Sequence, residues 1–375
     1  MVTSLQDAKR ITIKVGSALI CDPKTGLFNK TWLCALADDI AALRKAGKEV
    51  VITSSGAVAM GRGMVGAGKG DLSLRTRQAT AACGQPVLHM AWQDALQHHG
   101  IVCGQNLLTA EDSENRRRYV NARNTINAML ERDIIPIVNE NDTVTTHQIR
   151  YGDNDRLAAR IASMADSDVL VLLSDIDGLY TADPKSDPAA EFISQVDTIS
   201  PEIMAMGGEA ASAQSSGGMR TKLIAAEMCT ASGCSMVIAL GKVLHPLKAI
   251  QEGARCTWFP AAENPLSARK HWLSASQHME GTLIVDDGAA KALLKGSSLL
   301  AAGITECQGS FNKGDTLWIK TTDGSELAKG ITSYDAADIK MILGLKSEEV
   351  MTVLGVDVPD PVIHRDDMVL EPQYA

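Results

Sequence analysis

The chain has 375 residues, of which 45% are hydrophobic and 22% are charged, and its formal net charge at pH 7 is −9. A chain of this length is expected to form two or three domains, and this apolar fraction is enough for a buried core. The sequence has no apolar run long enough for a transmembrane helix and no apolar stretch of the kind that marks a secretory signal, so we expect a cytoplasmic protein.

The first part of the chain alternates strand and helix patterns. Ile11, Ile13 and Val15 alternate with other residues and predict a first strand, which a helical pattern follows over residues 31–47. Further apolar strands are predicted at residues 49–53, 134–138, 168–174 and 235–240. Near-continuous apolar strands that alternate with helices predict an α/β fold with a mainly parallel sheet between helix layers.

The pattern changes near Asn264 and Pro265, where a turn signal and a basic, polar stretch indicate a linker. We therefore predict a first domain at residues 1–262, a linker at 263–277 and a small β-rich domain at 278–375. The short segments GTLIVDD, GDTLWIK and LAKGIT read as strands, with helices near 287–295 and 335–344. From Ser276 onward 8 Lys/Arg face 16 Asp/Glu, a net of −8, which disfavours nucleic acid as a partner.

The eight cysteines form no C-x-x-C pair, and no Cys/His cluster has the spacing of a zinc site. Cys229 and Cys234 are five positions apart, outside the usual ligand spacings. We expect reduced and mostly buried thiols.

Small and basic residues follow the first two strands. Lys14 ends the first strand beside Gly16 and Ser17, and Gly56 and Gly61 lie in TSSGAVAMGRG after the second strand. These residue types suit a phosphate that approaches backbone N–H groups at a helix N-terminus. A solvated lysine at a strand end and a tight βα turn are the simpler alternatives.

Amide and carboxylate groups follow the strand at 134–138. They are Asn139, Asn141 and Asp142 in NEND, and Asp153, Asn154 and Asp155 in GDND. Such groups suit Mg²⁺ or the ammonium and carboxylate of an amino acid. In the simpler alternative, Asn154 or Asp155 is only the N-cap of the following helix.

Two later segments also point to phosphate. Asp175 and Asp177 in SDIDGLY end a strand, where they form either a plain turn or a contact to a nucleotide or metal. In SSGGMRTK, glycines precede Lys222 at the start of a helical stretch, which suits an anion although the P-loop spacing is absent. The arginine run at 116–118 is typical of a solvated surface.

Taken in order, KVGSALI, SSGAVAMGR, NENDTV, GDNDRLAA, SDIDGLYTADP and SSGGMRTK resemble the glutamate 5-kinases of the amino acid kinase superfamily. The resemblance extends through a C-terminal region similar to a PUA domain to the tail VIHRDDM. It departs from the family at Ser54, where threonine is common in Thr-Ser-Gly, and at Ser174, where threonine is common in Thr-Asp. Both changes keep a hydroxyl group.

The resemblance implies an amino acid kinase fold and transfer of phosphate from ATP, with Mg²⁺, to the side-chain carboxylate of L-glutamate, the first step of proline biosynthesis. It implies glutamate contacts by Ser55, Asp142 and Asn154. It implies ATP contacts by Lys14, Ser174, Asp175, Ser216, Gly217, Gly218, Met219, Arg220, Thr221 and Lys222. It also implies a homo-oligomer, feedback inhibition by proline, and a position for residues 111–124 near the glutamate site.

We predict that Lys14 and Lys222, from opposite ends of the sheet, neutralise the transferred phosphoryl group, and that Asp155 holds both lysines in place. The attacking carboxylate is already an anion and needs no general base. Mg²⁺ would be bridged through the ATP phosphates, and whether Asp153 or Asp155 faces it stays open. The weaker alternatives are a related kinase acting on N-acetylglutamate, aspartate, carbamate or UMP, and an RNA-binding regulator.

Overall fold

The computed structural model describes residues 3–21, 28–68, 70, 72–145, 153–184, 186–208, 218–261, 279–355 and 361–371, with the backbone alone at positions 110, 114, 116 and 153. The chain divides into two compact units. The first comprises Met1–Ser113 and Ala122–Pro265, and the second comprises Glu114–Asn121 and Leu266–Ala375. The short segment with the arginine run thus groups with the second unit, and the domain limits set from the sequence stay a prediction.

The first unit is built on a seven-stranded sheet. Its strands, with a separate two-stranded hairpin, are β1 (Arg10–Val15), β2 (Glu49–Ser54), β3 (Cys103–Leu108), β4 (Ile135–Glu140), β5 (Val169–Ser174), β6 (Leu179–Tyr180), β7 (Phe192–Ile193), β8 (Ser235–Leu240) and β9 (Cys256–Phe259). The order in the sheet is β3-β4-β2-β1-β5-β8-β9, and β6 pairs with β7. Only the β8–β9 pairing within this sheet is antiparallel.

Helices follow most of these strands. They are α1 (Ser17–Ile20), α2 (Lys30–Lys45), α3 (Ala57–Gly61), α4 (Leu74–Gln97), α5 (Ala110–Glu114), α6 (Arg116–Leu130), α7 (Asp153–Met164), α8 (Pro201–Met206), α9 (Met219–Ala231) and α10 (Pro246–Gln251). The predicted mainly parallel α/β architecture is therefore confirmed. The antiparallel edge strand β9 and the half-buried edge strand β3 were not predicted.

The sheet is buried on both faces, as its apolar strands require. Successive residues of β5 point to opposite faces. Val169, Val171 and Leu173 join the core that packs on α2 and α4, whereas Leu170 and Leu172 join the core that packs on α7 and α9. Side chains that alternate along one buried strand thus contribute to the apolar cores on both faces of the sheet.

Two glycines bring α3 and α4 into close contact. A Cβ atom added to Gly84 would lie 1.9 Å from the carbonyl oxygen of Ala57, and one added to Gly61 would lie 2.0 Å from that of Thr80. Gly61 therefore serves helix packing and not, as the sequence suggested, backbone approach to an anion. This contact fixes α4 beside the carboxyl end of β2.

A buried carboxylate anchors the start of α10. Asp39 of α2 accepts hydrogen bonds from the backbone N–H groups of Leu247 at 2.9 Å and Lys248 at 3.2 Å. Its other oxygen lies 3.0 Å from Nδ1 of His245, which has a left-handed φ of 54°. The N–H groups that begin α10 are thus satisfied from a neighbouring helix.

The second unit is a small mixed domain. Its strands are β10 (Gly281–Val285), β11 (Ile304–Gly309), β12 (Thr316–Thr321), β13 (Glu326–Ile331) and β14 (Met368–Leu370). Its helices are α11 (Asp287–Leu294), α12 (Ala336–Ile342) and α13 (Ser347–Leu354), with short 3-10 turns at Ala301–Gly303 and Arg365–Asp367. The strand order is β11-β10-β12-β13-β14, with β10 and β12 parallel.

The second unit has its own core. Leu283, Leu317 and Ile319 of the sheet are completely buried and pack with apolar residues of the three helices. The strands β10, β12 and β13 and the helices α11 and α12 were predicted here, whereas β11, β14 and α13 were not. Among the described residues of the whole chain, no helix is long and apolar enough to cross a membrane.

Candidate active site

Polar segments follow four neighbouring strands, β4, β2, β1 and β5, which are adjacent in the sheet. The register pairs Lys14 of β1 with Thr53 of β2 and with Leu172 of β5. All four strands are parallel, so the loops that follow them open on one edge of the sheet. Ligands of open α/β sheets bind at this edge.

Asp155 lies between two lysines that are distant in the sequence. Its Oδ1 is 2.7 Å from Nζ of Lys14 in β1, and its Oδ2 is 3.1 Å from Nζ of Lys222 in the first turn of α9. Lys222 donates a hydrogen bond to Asp155, and Lys14 makes an ion pair with it. The side chains of Asp155, Lys14 and Lys222 are only 2%, 12% and 9% exposed, so water and salt screen this charge cluster weakly.

The charges of this cluster, the Lys14–Asp155–Lys222 triad, do not cancel. Burial raises the pKa of the Asp155 carboxyl, but the two nearby ammonium groups outweigh burial and hold that pKa below its ordinary value of 3.8. Asp155 is therefore ionised at neutral pH. One carboxylate facing two ammonium groups leaves a positive charge for an entering anion.

The N-terminus of α9 reinforces this preference for anions. Gly218 precedes the helix in an extended conformation without a side-chain cap. Thr221 donates to the Gly218 carbonyl at 2.8 Å, and its Oγ1 lies 3.3 Å from Oδ2 of Asp155. The positive end of the helix dipole thus lies at the same corner as the triad, an arrangement that suits a phosphate group.

Two expectations about this corner are wrong. Lys14 and Lys222 do not come from opposite ends of the sheet, because the strand order places β1 in the centre of the sheet and α9 packs beside α7. Neither Asn154 nor Asp155 is the N-cap of α7, because the helix begins at Asp153 and both residues lie in its first turn.

The residues predicted to contact ATP fall in three places. Lys14 belongs to the triad, Ser174 and Asp175 end and follow β5, and residues 218–222 form the start of α9. Ser216 and Gly217 lie outside the described residues. The other predicted positions surround the carboxyl ends of β1 and β5.

The segment after β5 holds its two aspartates differently. Ser174 is buried and donates from Oγ to Oδ1 of the exposed Asp175 at 3.3 Å. Asp177 accepts a hydrogen bond from the hydroxyl of Tyr180 at 3.0 Å, and Arg255 donates to the same hydroxyl at 3.2 Å. Asp177 is therefore held by its neighbours, and Asp175 is the more accessible carboxylate.

Ser55 and Gly56 shape the turn after β2. Ser55 is buried, and its N–H donates to the carbonyl of Val15 at 2.9 Å. Gly56 has a φ of 126°, a conformation that residues with a Cβ atom rarely adopt. The neighbouring Ser54 accepts a hydrogen bond from the indole of Trp92 at 2.9 Å. The turn is thus fixed against both β1 and α4.

Asp142 lies on the connection between β4 and α7, Asn154 lies in the first turn of α7, and both are half-buried. Burial raises the pKa of the Asp142 carboxyl, and the opposing cation is Arg77 of α4. Residues 146–152 of this connection lie outside the described residues. Asp142, one of the predicted glutamate contacts, is therefore a carboxylate whose pKa reflects both burial and the charge of a guanidinium group.

Sequence reasoning missed the contribution of α4 to this region. Asn139, which is buried, donates from Nδ2 to Oε1 of Gln85 at 2.7 Å, and Gln78 donates from Nε2 to the carbonyl of Thr145 at 3.1 Å. The two glutamines are seven positions apart and so share one helix face. The spacing of the two glutamines is visible in the sequence, but the sequence does not show that this helix face contacts the end of β4 and the segment after it.

The described residues contain no group of three or more His, Cys, Asp or Glu side chains arranged to hold a metal. Both oxygens of Asp155 face ammonium groups, which suits a role in orienting lysines better than metal ligation. The side chain of Asp153 lies outside the described part of the structure. All eight cysteines are free, and Cys229 and Cys234 are buried beneath the sheet.

The comparisons with known proteins agree with this architecture. The model of the amino acid kinase family matches residues 9–240, and the model of the PUA domain matches residues 281–354. A solved structure of carbamate kinase from Giardia lamblia bound to AMP-PNP superposes with a TM-score of 0.50 at 18% identity, covering 68% of this chain and 99% of that one. At that identity the similarity concerns the fold alone.

Similar proteins cover nearly the entire chain. A glutamate 5-kinase from Paramagnetospirillum magneticum is 52% identical over 370 residues, which are 99% of this chain and 100% of that protein. A glutamate 5-kinase from Agrobacterium fabrum is 53% identical over 361 residues, 96% of this chain and 92% of that protein.

Proposed function

Because the chain belongs to the amino acid kinase family, we propose that it transfers the γ-phosphoryl group of ATP to the side-chain carboxylate of L-glutamate. The product is L-glutamyl 5-phosphate, and the reaction is the first step of proline biosynthesis. The observation that carries the proposal is the buried Lys14–Asp155–Lys222 triad at the start of α9. Relatives named glutamate 5-kinase that match over nearly the whole chain support the choice of substrate.

The triad suits phosphoryl transfer to a carboxylate. The acceptor is already ionised, so the enzyme needs no general base, and its task is to bring one anion to another. Lys14 and Lys222 would neutralise oxygens of the transferred group, while Asp155 keeps both ammonium groups in place. Preorganised charges of this kind stabilise the transition state more than the ground state.

ATP would bind along the start of α9 and the end of β5. Residues 216–222 and Lys14 would contact the phosphates, and Ser174 and Asp175 would contact the nucleoside. Mg²⁺ fits a site formed by the ATP phosphates, because the carboxylate closest to the phosphate corner is occupied by lysines. Bound there, the ion would supply further charge neutralisation.

Glutamate would lie on the side of the triad opposite to ATP. Ser55, Asp142 and Asn154 would hold it with its side-chain carboxylate toward the phosphate. On the resemblance alone, we also propose a homo-oligomer and inhibition by proline at this subsite. The cytoplasm remains the expected location, and the −8 charge of the C-terminal part disfavours nucleic acid as a partner.

An acyl-phosphate trap tests the proposal. The purified protein would be incubated with ATP, Mg²⁺ and hydroxylamine, and with L-glutamate, N-acetylglutamate or L-aspartate in parallel. Hydroxylamine converts an acyl phosphate to a stable hydroxamate, so we expect γ-glutamyl hydroxamate from free glutamate. Adding proline to the same assay tests the proposed inhibition.

The alternatives give different results. A preference for N-acetylglutamate or aspartate would refute the substrate and leave the kinase chemistry in place. Carbamate or UMP as acceptor would be detected as ADP release in a coupled assay. No product with any acceptor, together with a salt-sensitive gel shift of cellular RNA, would favour an RNA-binding regulator.

A further inference from the structure

The segment 174–180 leads from β5 to β6 and carries both residues that we expect to contact the nucleoside. Ser174 is buried, and Asp175 is the only exposed residue of the segment. The N–H of Gly241, directly after β8, donates to the Ser174 carbonyl at 2.7 Å. The first end of the segment is therefore fixed against the neighbouring strand of the sheet.

Thr257 of the antiparallel edge strand β9 holds the other end. This residue is completely buried, and its hydroxyl accepts a hydrogen bond from the N–H of Leu179 at 2.7 Å. The same hydroxyl donates to the carbonyl of Ile193 at 2.6 Å. A Cβ atom added to Gly178 would lie 2.5 Å from this oxygen, so the backbone of the segment lies directly against it.

Arg255, directly before β9, makes a second set of contacts with the segment. It donates to the hydroxyl of Tyr180 at 3.2 Å and lies 3.9 Å from the carboxylate of Asp177. Its guanidinium is 4.9 Å from the centroid of the Phe192 ring. Because this side chain is 58% exposed, water weakens its contacts, and we expect it to contribute less than Thr257.

The buried hydroxyl cannot be removed without consequences for the segment. Without it, the N–H of Leu179 and the carbonyl of Ile193 would both lose a hydrogen-bond partner in a buried place. Such groups are costly to leave unpaired, so the backbone would move to find water or other partners. The position of Asp175, four residues before Leu179, therefore depends on β9.

We propose that Thr257, assisted by Arg255, positions Ser174 and Asp175 to bind the nucleoside of ATP. This inference rests on the proposed function, because it concerns the same nucleotide. Both are positioning residues, which act through the segment 174–180 and not by contact with ATP. The edge strand β9 thus sets the affinity for the nucleoside, while the triad binds the phosphates independently of it.

Variants of Thr257 separate its hydroxyl from its size. Thr257→Val removes the hydroxyl and keeps the shape, whereas Thr257→Ser keeps the hydroxyl. Thr332→Val is the matched control, because Thr332 is a buried threonine of the second unit. Its hydroxyl likewise accepts from an N–H and donates to a carbonyl, both of Tyr334.

Two ligands separate the nucleoside from the phosphates. The dissociation constants of ATP and of tripolyphosphate, which has the three phosphates without the nucleoside, would be measured by calorimetry for the wild type and each variant. The KM values for ATP and glutamate would be measured in the hydroxamate assay. Urea denaturation would show the loss of stability in each variant.

We expect Thr257→Val to raise the dissociation constant of ATP about 10-fold, as for the loss of a buried hydrogen-bond partner. The dissociation constant of tripolyphosphate and the KM for glutamate should change less than about 2-fold, because the triad is intact. Thr257→Ser should bind ATP within about 3-fold of the wild type. Arg255→Met should raise the dissociation constant of ATP about 2- to 5-fold, the range for exposed contacts. Thr332→Val should lose stability as Thr257→Val does and bind ATP like the wild type.

Equal weakening of ATP and tripolyphosphate by Thr257→Val would mean a general disturbance of the site, and unchanged ATP binding would mean that β9 does not position the segment. Either result overturns the inference, as would an equal loss of ATP binding in Thr332→Val. If Thr257→Val does not fold by circular dichroism, Arg255→Met decides by the same comparison. If tripolyphosphate does not bind the wild type, the KM values for ATP and glutamate replace the two dissociation constants. Failure of the wild type to form γ-glutamyl hydroxamate would instead refute the proposed function, and the ATP dissociation constants, which need no turnover, keep the two failures distinguishable.

Discussion

Replacing Asp155 by asparagine would test the triad most directly. The substitution keeps the size of the side chain and removes its charge. At an effective dielectric constant of about 20, the contacts at 2.7 and 3.1 Å correspond to Coulomb energies of about 6 and about 5 kcal/mol. Desolvation of three charged groups offsets most of this, and breaking a buried ion pair typically costs about 3–5 kcal/mol.

We therefore expect Asp155→Asn to lower the free energy of unfolding by about 3 kcal/mol. The two ammonium groups would then repel each other and lose their fixed positions, so kcat should fall about 10²- to 10³-fold. The KM for ATP should change less than about 3-fold, because the positive charge that attracts the phosphates remains.

The measurements are urea denaturation at pH 7 and steady-state kinetics in the hydroxamate assay. Asp94→Asn is the control, because Asp94 is an exposed aspartate within a helix. A kcat within about 2-fold of the wild type would refute the argument that Asp155 positions the lysines for catalysis. A loss of stability with unchanged kcat would leave the triad a purely structural role.

Three further predictions use the same assays. The pKa of Asp155 is lowered below 3.8 in the folded protein. The ionised carboxylate therefore stabilises the folded state above about pH 4, and this contribution is lost as the pH falls through the folded pKa. Asp155→Asn should abolish this part of the loss of stability in acid. Lys14→Ala and Lys222→Ala should each lower kcat about 10²-fold, and a change confined to KM would contradict a transition-state role. Gly84→Ala places a methyl group 1.9 Å from a backbone carbonyl of α3 and should cost about 1–3 kcal/mol of stability or more. Gly63→Ala, which meets no atom within 4 Å, should change stability far less, and equal effects would contradict the close packing of α3 and α4.

Much of the fold could be predicted from local pattern alone. The apolar strands around Ile13 and Val171 and the helices between them follow from the periodicity of buried side chains, which is a property of neighbouring residues. Edge strands give a weaker signal, because one side of them is not buried in the sheet. The strand β3, whose sequence is CGQNLL and whose residues are half-buried apart from the exposed Gln105, was missed for this reason.

The sequence by itself determined which residues end the strands and therefore which groups reach the ligand edge of the sheet. It also suggested Asp155 as a partner of both lysines, but only on chemical grounds and through the resemblance. The tertiary structure decided the distances, because Asp155 and Lys222 are 67 residues apart and meet only when α9 packs on α7. It likewise decided that Gln85 meets Asn139 across 54 residues. Hydrophobic periodicity shows which face of a helix is buried. The element that packs on that face is decided only by the order of the strands in the sheet.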